Sequence, residues 1–140
     1  MKVESCTQSI CNLALKFGED GEEDTGSGMS RPFGVALLVA GIDEKGPSLY
    51  HTDPSGTYVR YDAKAIGAAS EGAQQTLQDE YNQQMTLKEA ETLALKILKQ
   101  VMEYSINSTN VEIGSITVKD PIFKLYSKDK LESIIKDLKN

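Results

Sequence analysis

The sequence contains no tryptophan, a single histidine and only two cysteines. A transition-metal site needs several imidazole or thiolate ligands, so His51 with Cys6 and Cys11 argues against one. A Ser-His-Asp mechanism would have to use His51, and no G-x-S-x-G motif places a serine near it. The longest run without charged or hydrogen-bonding side chains covers residues 33–42 and is about half the ~20 residues that a membrane helix needs.

Basic residues are outnumbered, with 15 Lys and Arg against 21 Asp and Glu, a net charge of −6 and a pI near 4.8. This balance argues against nucleic acid or an anionic membrane surface as the main partner. Five acids fall within residues 19–24. We expect a solvated surface loop there, with a docking patch for a basic partner as the alternative, because the acids lack the spacing of a calcium loop.

The first residues predict no secretory signal, because Met1-Lys2 is followed by Val3-Glu4-Ser5 and no apolar segment. If residues 3–17 are helical, Cys6 and Cys11 lie about 140° apart around the axis and cannot bridge each other. Two unpaired cysteines are typical of a reducing compartment.

Residues 33–42 form the central stretch of the chain, bounded by Pro32 and by the turn residues after Ile42. An apolar run of this length with valines and flanking glycines predicts a strand that is covered on both faces. Such a strand needs neighbours in its own sheet and a layer of structure on each side. We therefore expect the rest of the chain to supply those layers.

Two short strands are predicted to follow the central one. The turn at residues 43–47 leads into an alternating strand at 48–52, and Asp53-Pro54-Ser55-Gly56 is a strong turn signal before a third strand at 57–63. Strands joined by turns this tight form an antiparallel meander.

Helical spacing predicts the remaining helices, and alternation of apolar residues predicts the strands near the end of the chain. Before the meander, a helix over residues 3–17 is expected, with Gly18 at its end and one apolar stripe, formed by Val3, Cys6, Ile10, Leu13 and Phe17. After it, Ser70 is expected to cap a helix running to about Tyr81.

Thr86 and Glu89 predict a capping box at the start of the longest helix. Its apolar positions are Leu87, Ala90, Leu93, Ala94, Ile97, Leu98, Val101 and Met102. Strands are predicted at residues 111–118, with a bulge at Gly114-Ser115, and at residues 122–126. Ser127 is expected to cap a last helix, whose apolar face is formed by Leu131, Ile134, Ile135 and Leu138.

Several residues could carry chemistry, but each has a structural explanation. Ser70-Glu71-Gly72 could be a nucleophile turn, although a helix cap explains it, and Gly67 with Gly72 lacks the lysine of a phosphate loop. Asp53 and Asp62 could do acid–base work, although turn and strand-end roles account for both. The nearby tyrosines, Tyr50, Tyr58 and Tyr61, are interpreted as cross-strand packing. Composition and spacing thus predict an α+β domain without a catalytic constellation.

Several ungapped motifs in register resemble the alpha subunits of the 20S proteasome, and among them the type 5 group. The similarity is most evident at Ser30-Arg31-Pro32-Phe33-Gly34-Val35, includes Val3-Glu4-Ser5 in the first predicted helix and extends over nearly all 140 residues. The motif residues singled out for a structural role are Arg31, Pro32, Phe33, Gly34, Asp53, Pro54, Ser55, Gly56, Gly67, Ser70, Glu71 and Gly72.

The resemblance implies the C-terminal part of a four-layer α/β/β/α sandwich of the N-terminal nucleophile hydrolase fold, with antiparallel sheets. Residues 1–140 would be a single partial domain: a helix at 1–17, the acidic loop at 18–29 and a sheet-and-helix body at 30–140. Family members are much longer, and this sequence aligns with about their last three-fifths. We therefore expect bare strand edges and an open apolar face, which would promote oligomerisation or aggregation.

The resemblance also implies a noncatalytic function. Alpha subunits form seven-membered rings that stack on the catalytic beta rings, gate substrate entry and dock regulatory particles in ubiquitin-dependent degradation, in the cytoplasm and nucleus. The partners implied are other alpha subunits, beta-ring subunits and regulators, with no nucleic acid or membrane. No catalytic, cofactor-binding or metal-binding residue carries over. The alternatives are a catalytic beta-type threonine protease relative and an unrelated small-molecule-binding α+β module.

Overall fold

The computed structural model describes residues 1–19 and 34–139. The chain forms two compact units, Met1–Asp62 and Ala63–Asn140, and each is described by itself. Arg31, Pro32 and Phe33 of the family motif lie outside the described residues, as does the acidic loop except for Gly18 and Glu19. The single domain predicted for residues 1–140 stays a prediction.

The first unit consists of one helix and a three-stranded antiparallel sheet. Helix α1 covers Val3–Glu19, followed by β1 (Leu37–Asp43), β2 (Gly46–Thr52) and β3 (Tyr58–Arg60). The strand order is β1-β2-β3. This order confirms the predicted meander, in which each tight turn pairs a strand with the next one in the sequence.

One face of this sheet is covered by α1. Successive side chains of a strand point to opposite faces of the sheet. Gly41 and Asp43 therefore lie on one face, together with the residues paired with them on β2. A methyl group built at Gly41 would lie 2.9 Å from Cγ2 of Val3, so the absence of a side chain lets the helix approach β1. Tyr50 and Thr52 of β2 are buried on this same face.

The prediction that residues 33–42 are buried on both faces is wrong for this chain. The strand begins only at Leu37, and Val35, Leu37 and Leu38 are 48%, 36% and 38% exposed. Helix α1 covers one face of the sheet, and no other described element of the first unit covers the second. An apolar run indicates that a cover is needed, but it does not show which chain supplies it.

The buried face of α1 is rotated from the predicted stripe. Val3, Thr7 and Cys11, spaced by four residues, are buried, whereas Leu13 is 40% exposed. The hydroxyl of Thr7 donates a hydrogen bond to the carbonyl of Val3 (2.9 Å) and is therefore satisfied inside the protein. A pattern based on apolar side chains alone misses such a residue. The helix also continues through Gly18, so its predicted end was wrong by two residues.

The second unit contains three helices and a two-stranded ladder. The helices are α2 (Ser70–Glu80), α3 (Leu87–Val101) and α4 (Lys128–Lys139), and the strands are β4 (Gly114–Ser115) and β5 (Lys124–Leu125). None of the helices within residues 1–19 and 34–139 is both long and apolar enough to cross a membrane.

Two of the three predicted helix caps in this unit are confirmed. Glu89 donates its backbone N–H to Oγ1 of Thr86 (3.3 Å), and the Thr86 N–H reaches the Glu89 carboxylate (2.9 Å), which is the capping box. The N–H of Lys130 donates to Oγ of Ser127 (3.3 Å). Ser70, however, is the first residue of α2 and not its cap. Ala69 precedes it at φ 60° without a side-chain cap.

Helix α3 buries apolar side chains on two of its faces. Leu93 and Ile97 pack with Ala73 of α2, whereas Leu95 is fully buried in a second cluster with Leu131 and Ile135 of α4. The predicted face therefore holds for the contact with α2, but it omitted Leu95.

The predicted strands after α3 are much shorter in the structure. Gly114 pairs with Leu125 and Ser115 with Lys124, so the predicted bulge at these residues is wrong, because they form the ladder itself. The backbone N–H of Asp120 bonds to the Thr117 hydroxyl (3.1 Å), and that of Thr117 to the Asp120 carbonyl (3.4 Å). These bonds close a turn and end the pairing at Ser115.

Candidate functional site

The single histidine of the chain serves in cross-strand packing. His51 lies between Leu38 and Val59 in the ladder, and its ring meets Tyr61 edge to face with 6.1 Å between centroids. The rings of Tyr50 and Tyr58 form a similar pair at 5.8 Å, which confirms the predicted packing of the tyrosines. In the described part of the chain, no three His, Cys, Asp or Glu residues come together as a possible metal site.

Asp53 organises the turn between β2 and β3. Its Oδ1 accepts the backbone N–H of Ser55 (2.9 Å), and its carboxylate also accepts the hydroxyls of Ser55 and Thr57. Hydrogen bonding by Ser55 is the main reason why the pKa of Asp53 lies below its usual range. The carboxylate thus holds the turn, as the sequence predicted.

The turn at residues 53–56 fits closely against α1. Gly56 has φ +86°, and a methyl group built there would lie 2.7 Å from Cγ of Leu15 and 3.3 Å from the carbonyl oxygen of Cys11. Both the backbone conformation and the space therefore require glycine at this position. Burial, and secondarily the charge of Asp53, raises the pKa of the Cys11 thiol. Cys6 and Cys11 are both free, as predicted.

Asp43, the last residue of β1, joins the opposite end of the sheet to α1. Its Oδ2 accepts the backbone N–H of Val3 (2.9 Å), and its Oδ1 accepts that of Lys45 (2.9 Å). These two backbone bonds, led by that from Val3, lower the pKa of Asp43. Asp43 therefore caps the N-terminus of a helix forty residues away, and no local sequence signal could have shown this.

These contacts fix α1 at both ends of the sheet. From Val3 to Leu15 the helix rises about 18 Å, which is close to the roughly 23 Å length of the seven-residue strand β2. Asp43 holds one end and the turn containing Gly56 receives the other. The motif residues of this turn are thus structural, and they determine how the helix and sheet pack.

The remaining motif residues shape the start of α2. Gly67 has φ +98°, and its carbonyl accepts the N–H of Ser70 (3.3 Å). The Gln74 side chain accepts the N–H of Ala65 (2.9 Å) and donates to the carbonyl of Ala63 (3.4 Å). A groove of about 270 Å³ lies beside these residues, lined by Lys64, Ala65, Ser70, Glu71, Gln74, Gln75 and Gln78.

The sheet of the first unit has an open apolar face, which is the candidate assembly surface. We call it the outer sheet face, and it is formed by Leu38, Ala40, Leu49, His51 and Val59. Its side chains alternate with those that meet α1. Leu38 and Val59 flank His51 in one row across the three strands, and both are exposed. Such a face is typical of a surface that another layer of structure covers.

Comparison with known proteins finds a matching family and several similar relatives. The family model described as "Proteasome subunit" matches residues 1–116. Relatives named "Proteasome subunit alpha type-5" share 60% identity in Dictyostelium discoideum over 99% of this chain and 51% in Drosophila melanogaster over 99%. A "Probable proteasome subunit alpha type-5" of Schizosaccharomyces pombe shares 55% over 95%.

The chain spans a little over half of the length of these relatives, 57%, 56% and 53% respectively. Its mixture of helices and small antiparallel sheets agrees with part of an N-terminal nucleophile hydrolase fold, as predicted. A family model that matches most of the chain, together with the identities above, shows that this chain belongs to the proteasome subunit family.

Proposed function

We propose that the chain acts as a noncatalytic structural subunit in the outer alpha ring of the 20S proteasome. Its partners would be neighbouring alpha subunits in a seven-membered ring, beta-ring subunits and regulatory particles. In that setting it would support ring assembly, substrate gating and regulator docking during ubiquitin-dependent degradation. We further propose that it acts in the cytoplasm and nucleus.

The observation that carries this proposal is the 60% identity to an alpha type-5 relative along practically the whole chain. The structure supports an assembly function in two ways. The residues of the family motif around Asp53 and Gly56 hold α1 on the sheet, and the opposite face of that sheet is apolar and open. Both features are those of a part that packs into a larger body.

The proposal includes the absence of intrinsic peptidase activity. The carboxylate of Asp53 accepts several hydrogen bonds within its turn, and the His51 ring packs on Tyr61. Each of these groups thus has a structural partner that explains its position. Incubating the purified chain with fluorogenic peptides should give no turnover that a threonine-directed inhibitor blocks.

Native affinity purification of the tagged chain from cells that make 20S proteasomes tests the assembly function. We expect alpha and beta subunits to be recovered with it, as measured by quantitative mass spectrometry. A variant with Leu38→Lys and Val59→Lys should recover at least tenfold less, because it places two charges on the outer sheet face.

The matched control is Leu87→Lys with Leu98→Lys. It makes the same charge change at exposed positions of α3 and should leave recovery unchanged. Recovery of no proteasome subunit by the unmodified chain, under conditions in which a tagged full-length alpha type-5 relative recovers them, would contradict the proposal.

A further inference from the structure

We draw no further inference here: the strongest candidate, the polar groove of about 270 Å³ beside the first turn of α2, whose lining includes Lys64, Glu71 and Gln75, rests on a helix N-terminus alone, and no buried polar side chain without a partner among the described residues points to a ligand in it.

Discussion

At the scale of single residues, Asp43 connects two parts of the chain that are forty positions apart. Its carboxylate accepts the first backbone N–H of α1 and the N–H of Lys45 within its own turn. One acidic side chain therefore closes the β1–β2 turn and caps the helix that packs on it. Its position at the positive end of the helix adds a favourable charge interaction.

Replacing Asp43 by alanine should release the N-terminus of α1 from the hairpin. We expect the melting temperature to fall by roughly 3–6 °C, because a helix cap and a turn bond are lost together. Hydrogen exchange should increase in the first turn of α1, near Val3. As a control, Glu44→Ala removes a neighbouring acid of the same turn and should change the melting temperature by no more than about 1 °C. Equal effects of the two variants would contradict the assigned cap.

The folded-state pKa values of Asp43 and Asp53 are both below the usual range. The largest cause is the hydrogen bond from the backbone N–H of Val3 for Asp43 and the hydrogen bond from the side chain of Ser55 for Asp53. A lowered folded-state pKa stabilises the protein above the unfolded pKa of about 4, and this stabilisation is lost as the pH falls further. The urea midpoint should therefore drop between pH 5 and pH 2. In the Asp43→Asn and Asp53→Asn double variant, this drop should be smaller.

Gly56 and Gly46 form a matched pair that separates backbone strain from steric overlap. Both have positive φ, +86° and +96°, but only Gly56 has neighbours, Leu15 and Cys11, in the space that a methyl group would fill. Gly46→Ala should cost about 1 kcal/mol from backbone strain alone, whereas Gly56→Ala should cost about 2–4 kcal/mol. Urea denaturation measures both values. Similar losses would show that the turn does not pack closely on α1.

At the scale of elements, the sequence predicted helices better than strands. The capping box at Thr86 and Glu89 and the cap at Ser127 are local signals, and each depends only on residues within one turn of the helix. The turn at Asp53 is local in the same way. These features could be predicted because the groups that form the hydrogen bonds lie three or four positions apart.

Other features depended on contacts that are distant in sequence. The cover of residues 33–42 depends on which structure lies over the sheet, and the cap of α1 by Asp43 depends on the fold itself. The predicted strand at 111–118 ended at Ser115 because Thr117 and Asp120 close a turn. β-propensity could not anticipate this competition, since strand pairing is determined by the partner strand.

Helix α3 shows how burial on a second face escapes a single-stripe interpretation. Leu95 is fully buried against α4, whereas Leu98 of the predicted stripe is 36% exposed. Leu95→Ala should therefore destabilise the second unit by about 3–4 kcal/mol, and Leu98→Ala by less than about 1.5 kcal/mol. Chemical denaturation, monitored by the helical signal in circular dichroism, measures the difference in the free energy of unfolding. A larger loss for Leu98 than for Leu95 would contradict the packing of α3 described here.

At the scale of the whole molecule, net charge and exposed apolar area have opposite effects on association. A net charge of −6 repels identical chains, whereas the outer sheet face attracts any apolar surface. Salt screens the repulsion, with a Debye length of about 10 Å at 0.1 M, and leaves apolar contact almost unaffected. Self-association through this face should therefore increase with salt.

Light scattering of the purified chain at 0.02 M and 0.5 M NaCl distinguishes apolar from ionic association. We expect the average mass to rise with protein concentration and to rise further at the higher salt. Leu38→Lys with Val59→Lys should reduce this rise, whereas Leu87→Lys with Leu98→Lys, an equal change of net charge, should not. A monodisperse monomer at both salt concentrations would contradict association through the outer sheet face. Association that weakens with salt would instead indicate an ionic contact, since the attraction between opposite charges is screened like the repulsion between like charges.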